Sequence, residues 1–186
     1  MLMRKAPKQL IILHTNDLHS SFENMPKLAA MIARYRKEHG DDELIVIDCG
    51  DHLDRMRIET EGSRGVANVE GMNATGYDVF IPGNNEGLTY PKSDFEAAFK
   101  DRARFTVIGT NMHDKSLGRT PDWMRRRLIL DKAGIRIGIL GVTAAFNDFY
   151  HPLGWDVLDP VQTVREAVAE LRGMVDFVLV VAHLGA

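Results

Sequence analysis

The stretch LIVIDCGD, residues 44–51, decides the fold of this chain, because four apolar residues are followed, after Asp48 and Cys49, by a glycine and an aspartate. A short apolar run without alternation is typical of a strand that is buried on both faces of a sheet. Similar runs occur at residues 10–13, 79–81 and 177–181, and polar side chains follow each of them within a few residues. We therefore predict several buried strands that end in polar loops.

Segments with helical spacing alternate with these strands. In residues 25–40, apolar side chains recur at i, i+3, i+4 and i+7, and Gly40 is placed to end the helix. Asp159 followed by Pro160 is typical of a helix start, because aspartate caps the first turn and proline is tolerated at the first helical position. The predicted helices cover residues 25–40, 65–75, 91–102 and a segment that begins at 159.

A hairpin follows the alternating region. Residues 128–130 and 135–140 have strand patterns and flank a short loop that contains Gly134, which favours an antiparallel pair. Alternating strands and helices followed by a hairpin predict a layered α/β domain, with a mixed sheet covered by helices on its faces.

The composition is that of one ordinary domain with 186 residues, 45% of them apolar, and a formal net charge of −3. The cationic run at residues 125–127 is interpreted as a solvated edge, so we expect no nucleic-acid polymer as partner. No stretch approaches the roughly 18 apolar residues that span a bilayer. The apolar run at residues 10–13 is too short for a signal peptide, so we expect a cytoplasmic protein without a membrane partner. The oligomeric state stays open.

The loops that follow the predicted strands contain metal-ligand residue types, namely Asp17, His19, Asp51, Asn84 and His183. In sheets of this kind, bound molecules and ions lie beyond the carboxyl ends of the strands. The five side chains are therefore expected to converge there. Carboxylate, imidazole and amide donors together suit zinc, manganese or iron better than magnesium or calcium. Each motif alone is more often a turn or a core histidine. Their combination favours two divalent ions that activate a water for attack on a phosphoryl group.

The ordered motifs also carry a family resemblance. HTNDLHS at residues 14–20, GD at 50–51, PGNNE at 82–86 and VAHLG at 181–185 resemble the N-terminal catalytic domain of the 5′-nucleotidase and cyclic-nucleotide phosphodiesterase family. That family lies within the calcineurin-like metallophosphoesterases. The resemblance spans nearly the whole chain and implies a layered αββα sandwich with mixed sheets.

The resemblance also implies roles for the five candidate ligands. Asp17 and His19 would bind the first divalent ion, Asp51 would bridge both ions, and Asn84 and His183 would bind the second. The implied cofactor is a pair of manganese, zinc or iron ions. The implied substrate is a small phosphate ester, a nucleotide.

Two features of the family lie outside the stretch that this chain matches. The family has a further Gly-His-x-His pair after the strand that ends in the counterpart of His183, and a C-terminal domain that binds the nucleotide. Residues 1–186 are therefore expected to be an incomplete metallophosphoesterase domain, truncated before its last elements and without the substrate domain.

One departure concerns catalysis directly. The family usually has a histidine, oriented by an aspartate three residues later, at the positions of Asn85 and Leu88. Asparagine can donate a hydrogen bond to a developing charge but cannot deliver a proton, and general acid help is worth about 10² to 10⁴ in rate. Esters with stable leaving groups are then the expected substrates. His52, with Asp54 and Arg55 in the same polar loop, is a candidate to replace the dyad, although a loop histidine can equally face solvent.

Two functions remain open at this point. The first is a metal-dependent phosphoesterase that is impaired in this form. The second is a degenerate module that binds metal or ligand without hydrolysis. The presence of all five ligands favours the first, because clustered charges are costly unless they serve a site. Glu86 either caps the turn after Asn84 or orients Asn85 or a water.

Overall fold

The structure is a computed structural model that describes residues 9–185. Its first sheet contains four parallel strands in the order β1 (Ile11–Thr15), β2 (Leu44–Asp48), β3 (Val79–Phe80) and β4 (Thr106–Val107). Every residue of β2 is buried, as expected for the apolar run at residues 44–47 in a parallel sheet, and the burial extends to the aspartate that ends the strand. Because the strands are parallel, their carboxyl ends lie at one edge of the sheet.

Helices connect these strands, since parallel neighbours require crossover connections. The first of them follows a 3₁₀ turn at Phe22–Asn24 and ends at Gly40, as the sequence predicts. The helices of this half of the chain are α1 (Met25–His39), α2 (Ile58–Ser63), α3 (Val66–Thr75), α4 (Asn84–Thr89) and α5 (Lys92–Arg102).

The rest of the described chain forms a ribbon and a second sheet. β5 (Met112–Asp114) pairs antiparallel with β8 (Trp155–Val157). β6 (Leu128–Lys132) and β7 (Ile135–Thr143) form the predicted antiparallel hairpin, and β9 (Phe177–His183) pairs parallel with β7. Between β7 and β9 lie α6 (Asn147–Tyr150), a 3₁₀ turn at His151–Leu153, and α7 (Pro160–Leu171).

The two sheets face each other across a shared apolar core. Leu44 and Val46 of β2 belong to the core beneath the first set of helices, whereas Ile45 and Ile47 belong to the core between the sheets. This division follows from the alternation of side chains along a strand. On the far side of the second sheet, Leu140 packs against α7. The order helix, sheet, sheet, helix confirms the predicted layered αββα fold.

A glycine sets how closely the sheets approach. A Cβ atom on Gly141 of β7 would lie 2.5 Å from a side-chain carbon of Ile81 and 2.9 Å from the carbonyl oxygen of Ile108. The absence of a side chain at Gly141 therefore allows the two sheets to come into close contact at this point. Two residues further on, Thr143 pairs with His183, so the end of β9 is held near the ends of the first sheet.

Several bounds differ from the sequence prediction. β7 and β9 extend to Thr143 and His183, beyond the apolar runs that predict them, because parallel pairing continues through backbone hydrogen bonds whatever the side chains are. The ribbon and α2, α4 and α6 lack a strong periodic pattern and are additions to the predicted elements. Within residues 9–185, no helix is both long enough and apolar enough to cross a bilayer.

Candidate metal centre

The loops after β1 and β2 are joined by backbone hydrogen bonds. The N–H groups of Asp17 and His19 donate to the carbonyl oxygens of Gly50 and Asp51, each at 3.0 Å. Asp17, His19 and Asp51 have φ angles of 52°, 44° and 52°. Residues other than glycine are strained in this left-handed region by about 1–3 kcal/mol each, and such strain clusters at functional sites. Three of the predicted ligands therefore sit on strained backbone.

The loops after β2 and β3 are also in direct contact. A Cβ atom on Gly50 would lie 2.4 Å from the backbone nitrogen of Gly83, and one on Gly83 would lie 2.3 Å from a carboxylate oxygen of Asp51. Both positions therefore require glycine. The contact places the Asp51 carboxylate against the start of α4, where Asn84 and Asn85 are found.

The structure brings three of the predicted ligands into one group. Asp17, His19 and Asp51 each offer a ligand atom within 4.8 Å of the others. The side chains of Asp17 and His19 are 48% and 44% exposed, whereas that of Asp51 is 8% exposed. The group is thus a shallow site with one buried carboxylate at its base and two ligands that solutes can reach.

His183 joins this group from the second sheet. Its Nε2 atom lies 3.4 Å from Oδ1 of Asp51 and 4.0 Å from Oδ1 of Asp17. Its Nδ1 atom lies 2.9 Å from the carbonyl oxygen of Cys49. A proton on Nδ1 satisfies that carbonyl, and Nε2 is then the nitrogen directed at the two carboxylates.

The two asparagines occupy the first turn of α4. The backbone N–H of Asn85 donates to Oδ1 of Asp51 at 2.8 Å, and its side-chain nitrogen donates to the carbonyl oxygen of Leu53 at 2.9 Å. The amide nitrogen of Asn84 donates to the amide oxygen of Asn85 at 3.2 Å. Asn84 therefore borders the group, and its role as a ligand stays a prediction.

The charged forms of Asp51 and His183 stabilise each other. The hydrogen bond to Asp51 raises the pKa of His183 to about 9, against the opposing effect of burial. Burial disfavours the ionised form of Asp51, but the contacts with His183 and the Asn85 N–H outweigh it and hold its pKa below the ordinary value. Asp51 is therefore an anion at neutral pH, and here it is neutralised by a protonated imidazole where a metal cation would serve equally.

Glu86 links the loop after β2 to the loop after β3. Only part of this link could be predicted from the sequence. Its side chain is fully buried, and its carboxylate accepts hydrogen bonds from four backbone N–H groups at 2.7–3.1 Å, those of Gly83, Asp51, His52 and Leu53. The bond from Gly83 is the predicted cap of α4. The other three bonds come from the loop after β2 and lacked a sequence signal. Burial and the nearby charge of Asp51 raise the pKa of Glu86 to about 7.

His52 lies inside the loop rather than on its surface. Its side chain is fully buried, Nδ1 is 3.0 Å from a carboxylate oxygen of Asp48, and the ring meets the edge of Tyr77. Its Nε2 atom has no hydrogen-bond partner among the described residues. Arg55 binds Glu61 instead of the metal-ligand group. That His52 or its neighbours replace the missing dyad stays a prediction.

The donor set fits divalent metal. Two carboxylates and two imidazoles converge, and the second nitrogen of His183 already has a backbone acceptor, as the orientation of metal-binding histidines requires. Mixed oxygen and nitrogen donors are typical of zinc, manganese and iron sites. The structure thus assembles four of the five predicted ligands and places Asn84 beside them.

Comparisons with known proteins identify the family of this chain. The sequence profile of the family described as calcineurin-like phosphoesterase matches residues 10–186. The chain is 42% identical over 181 residues to the Bacillus subtilis metallophosphoesterase YunD, covering 96% of this chain and 39% of that protein. It is 26% identical over 193 residues to a 5′-nucleotidase of Vibrio cholerae, covering 95% and 34% of the two proteins.

Solved structures show the same fold. The NAD nucleotidase of Haemophilus influenzae superimposes with a TM-score of 0.82 at 19% identity, over 95% of this chain and 34% of that one. The chain therefore spans about a third to two fifths of the length of these relatives. From the matching profile and the 42% identity, we conclude that the chain belongs to the calcineurin-like phosphoesterases, a family of phosphoric ester hydrolases.

Proposed function

We propose that this domain hydrolyses phosphate esters of nucleotides with the help of two divalent metal ions. The observation that carries the proposal is the convergence of Asp17, His19, Asp51 and His183 from three strand ends on both sheets. No single secondary-structure element supplies this group. The group forms only when the two sheets are held in a fixed arrangement. Its formation also requires strained backbone and a buried carboxylate.

The proposal gives each candidate ligand a role towards the metals. Asp17 and His19 would hold one ion, His183 and Asn84 the other, and Asp51 would bridge them. When bound, such a pair would polarise a phosphoryl oxygen as a Lewis acid and lower the pKa of a water towards neutrality. Asp51 suits the bridging position, because its carboxylate is grouped with Asp17 and His19 and also lies 3.4 Å from Nε2 of His183.

Asn85 is the residue of this chain that we expect to assist departure of the leaving group. Its side-chain nitrogen is fixed by the carbonyl of Leu53 and lies 3.3 Å from Nδ1 of His19, at the border of the ligand group. It can donate a hydrogen bond to a developing negative charge but cannot transfer a proton. The favoured substrates are therefore esters whose leaving group is already stable, such as aryl phosphates, nucleoside pyrophosphates and cyclic phosphates.

The nucleotide part of the proposal is supported by relatives. The Vibrio cholerae and Haemophilus influenzae proteins are named a 5′-nucleotidase and an NAD nucleotidase. The alternative of a binding module without hydrolysis gains no support from these comparisons, which are with hydrolases.

The test combines metal content with hydrolysis of bis(p-nitrophenyl) phosphate in the presence of Mn²⁺. We expect metal-dependent turnover by the wild-type protein and its loss in Asp51→Asn. The matched control is Asp131→Asn, which removes an exposed carboxylate next to the β6–β7 turn and should keep full activity. Two bound ions without turnover on this substrate would refute hydrolysis and leave binding as the function.

A second assay addresses the substrate class. The same preparation is compared on a nucleoside diphosphate, a cyclic nucleotide, a nucleoside monophosphate and the non-nucleotide alkyl ester glycerol phosphate. We expect the pyrophosphate and cyclic bonds to be cleaved faster than the monophosphate ester. Equal or faster cleavage of glycerol phosphate than of the nucleoside monophosphate, which has a similar leaving group, would contradict nucleotide preference.

A further inference from the structure

We propose that Asp54 is a positioning residue for His19, and that its carboxylate accepts the Nδ1 proton of this ring when Nε2 binds a cation. The inference rests on the proposed metal-dependent function and adds a residue that lies outside the predicted ligand set. An imidazole that binds metal through one nitrogen carries a proton on the other, and the acceptor of that proton fixes both the tautomer and the orientation of the ring.

The two nitrogens of His19 face different neighbours. Nε2 lies 3.7 Å from Oδ1 of Asp17, on the side of the ligand group. Nδ1 lies 3.8 Å from Oδ2 of Asp54, on the opposite side of the ring. Asp54 is therefore the carboxylate behind the ring, and a small closing movement converts this ion-pair distance into a hydrogen bond.

The Asp54 carboxylate is held in place by its own loop. The backbone N–H of Asp54 donates to Oγ of Ser20 at 2.7 Å, and its Oδ1 accepts from the backbone N–H of Met56 at 2.9 Å. Ser20 is fully buried and directly follows His19. One oxygen of Asp54 is thus engaged locally, and the other is left facing the imidazole.

The second histidine of the site shows the same arrangement. In His183, Nε2 faces Asp51 and Asp17, and Nδ1 meets a carbonyl oxygen, that of Cys49. Both rings therefore turn Nε2 towards the ligand group and Nδ1 towards an oxygen acceptor. The acceptor for His183 is a backbone carbonyl, which no substitution removes. The acceptor for His19 is the side chain of Asp54, which a substitution can remove.

Asn85 favours the opposite tautomer of His19 from the one that Asp54 favours. Its side-chain nitrogen lies 3.3 Å from Nδ1 of His19 and is held by the carbonyl oxygen of Leu53. An amide nitrogen donates protons and does not accept them. Asn85 therefore stabilises the tautomer with an unprotonated Nδ1, whereas Asp54 stabilises the tautomer whose Nε2 is free for metal. Cation binding at Nε2 then shifts the partner of Nδ1 from Asn85 to Asp54.

The experiment uses Zn²⁺, which is diamagnetic, on the wild-type protein and on Asp54→Asn. Calorimetric titration measures zinc affinity, and long-range ¹H–¹⁵N spectra of histidine-labelled protein identify which ring nitrogen carries the proton. The matched control is Glu59→Gln, which removes a charge in the same segment from a side chain whose Oε2 lies 3.7 Å from Nε of Arg57.

We expect zinc-loaded wild-type protein to have His19 protonated at Nδ1 and bound through Nε2. In Asp54→Asn the affinity for one zinc ion should fall about 10- to 100-fold, as loss of a partner behind a metal-binding histidine does elsewhere. The control should bind zinc as the wild type does. Affinity within twofold of wild type in Asp54→Asn, or an unprotonated Nδ1 in the zinc-loaded wild type, would overturn the inference.

The tautomer measurement needs only the wild-type protein, so it tests whether His19 binds the cation through Nε2, as the inference requires, even if the variant fails to fold. Hydrolysis measured in parallel separates this inference from the proposed function. Zinc binding that depends on Asp54 without any turnover contradicts the function alone. Turnover without an effect of Asp54 contradicts the inference alone, and wild-type protein that binds no zinc contradicts both.

Discussion

Replacing Glu86 by glutamine removes one of the two oxygens that join the loops after β2 and β3. Oε2 accepts the N–H groups of Gly83 and Asp51, and Oε1 accepts those of His52 and Leu53. A glutamine has one oxygen and an NH₂ group, so two of these four N–H groups would face a donor instead of an acceptor.

The magnitude follows from these two unsatisfied groups. A buried N–H without a partner costs about 1–3 kcal/mol, which gives about 2–6 kcal/mol for the pair. The substitution also removes a carboxylate whose pKa burial raises to about 7, so the wild-type protein already bears a cost for this charge. We therefore expect the lower part of the range, a loss of about 2–3 kcal/mol in the free energy of unfolding.

The assay is urea unfolding followed by circular dichroism, together with Mn²⁺ titration of the folded protein. We expect Glu86→Gln to unfold at lower urea and to bind Mn²⁺ more weakly, because fewer hydrogen bonds then hold the loop of Asp51 against α4. Glu59→Gln, on an exposed side chain, is the control and should change the unfolding free energy by less than about 0.5 kcal/mol. Wild-type stability and Mn²⁺ affinity in Glu86→Gln would refute the reasoning.

Three further predictions concern the core, the acid stability and the dyad. Gly141→Ala should destabilise the protein by about 2 kcal/mol or more in thermal unfolding, because its Cβ meets the backbone carbonyl of Ile108 as well as the buried side chain of Ile81. Gly138→Ala, whose Cβ meets only side chains, those of Leu171 and Val175, should cost less; equal losses would contradict the account. Burial opposes ionisation of Asp114, but hydrogen bonds from Lys92 and its own loop lower its pKa from 3.8 to about 2, so its contribution of about 2 kcal/mol is present above pH 4 and disappears as the pH falls towards 2. The difference in unfolding free energy between wild type and Asp114→Asn should therefore shrink over that interval, and a constant difference would contradict this. Introducing His and Asp together at Asn85 and Leu88 should raise turnover of a nucleoside monophosphate at least tenfold while leaving that of bis(p-nitrophenyl) phosphate nearly unchanged; no gain would show that the missing proton donor is not limiting.

The layered fold could be predicted from the sequence because its strands are unambiguous. The run at residues 44–47 is apolar throughout, and the observed β2, which also includes Asp48, is buried at every position. The hairpin of β6 and β7 also follows from local turn chemistry. The ribbon of β5 and β8 could not be predicted in the same way, since each strand has three residues and gains its partner from a segment about 40 residues away.

The ligand group was predictable from residue types at strand ends, but its supporting contacts were not. Neither the three bonds from the loop after β2 to Glu86 nor the left-handed backbone at Asp17 and His19 has a sequence signal, because they arise only when loops from different strands meet. The burial of His52 likewise depends on Asp48 and Tyr77, which approach it only in the folded chain.

The central claim is that Asp51 organises a site for two metal ions. The most direct test is an electron paramagnetic resonance titration of the protein with Mn²⁺, because two ions that share a bridging carboxylate are magnetically coupled. The account predicts a coupled spectrum that develops up to two equivalents in the wild type and is absent in Asp51→Asn. A spectrum of isolated Mn²⁺ ions at every ratio, or one that persists without Asp51, would contradict it.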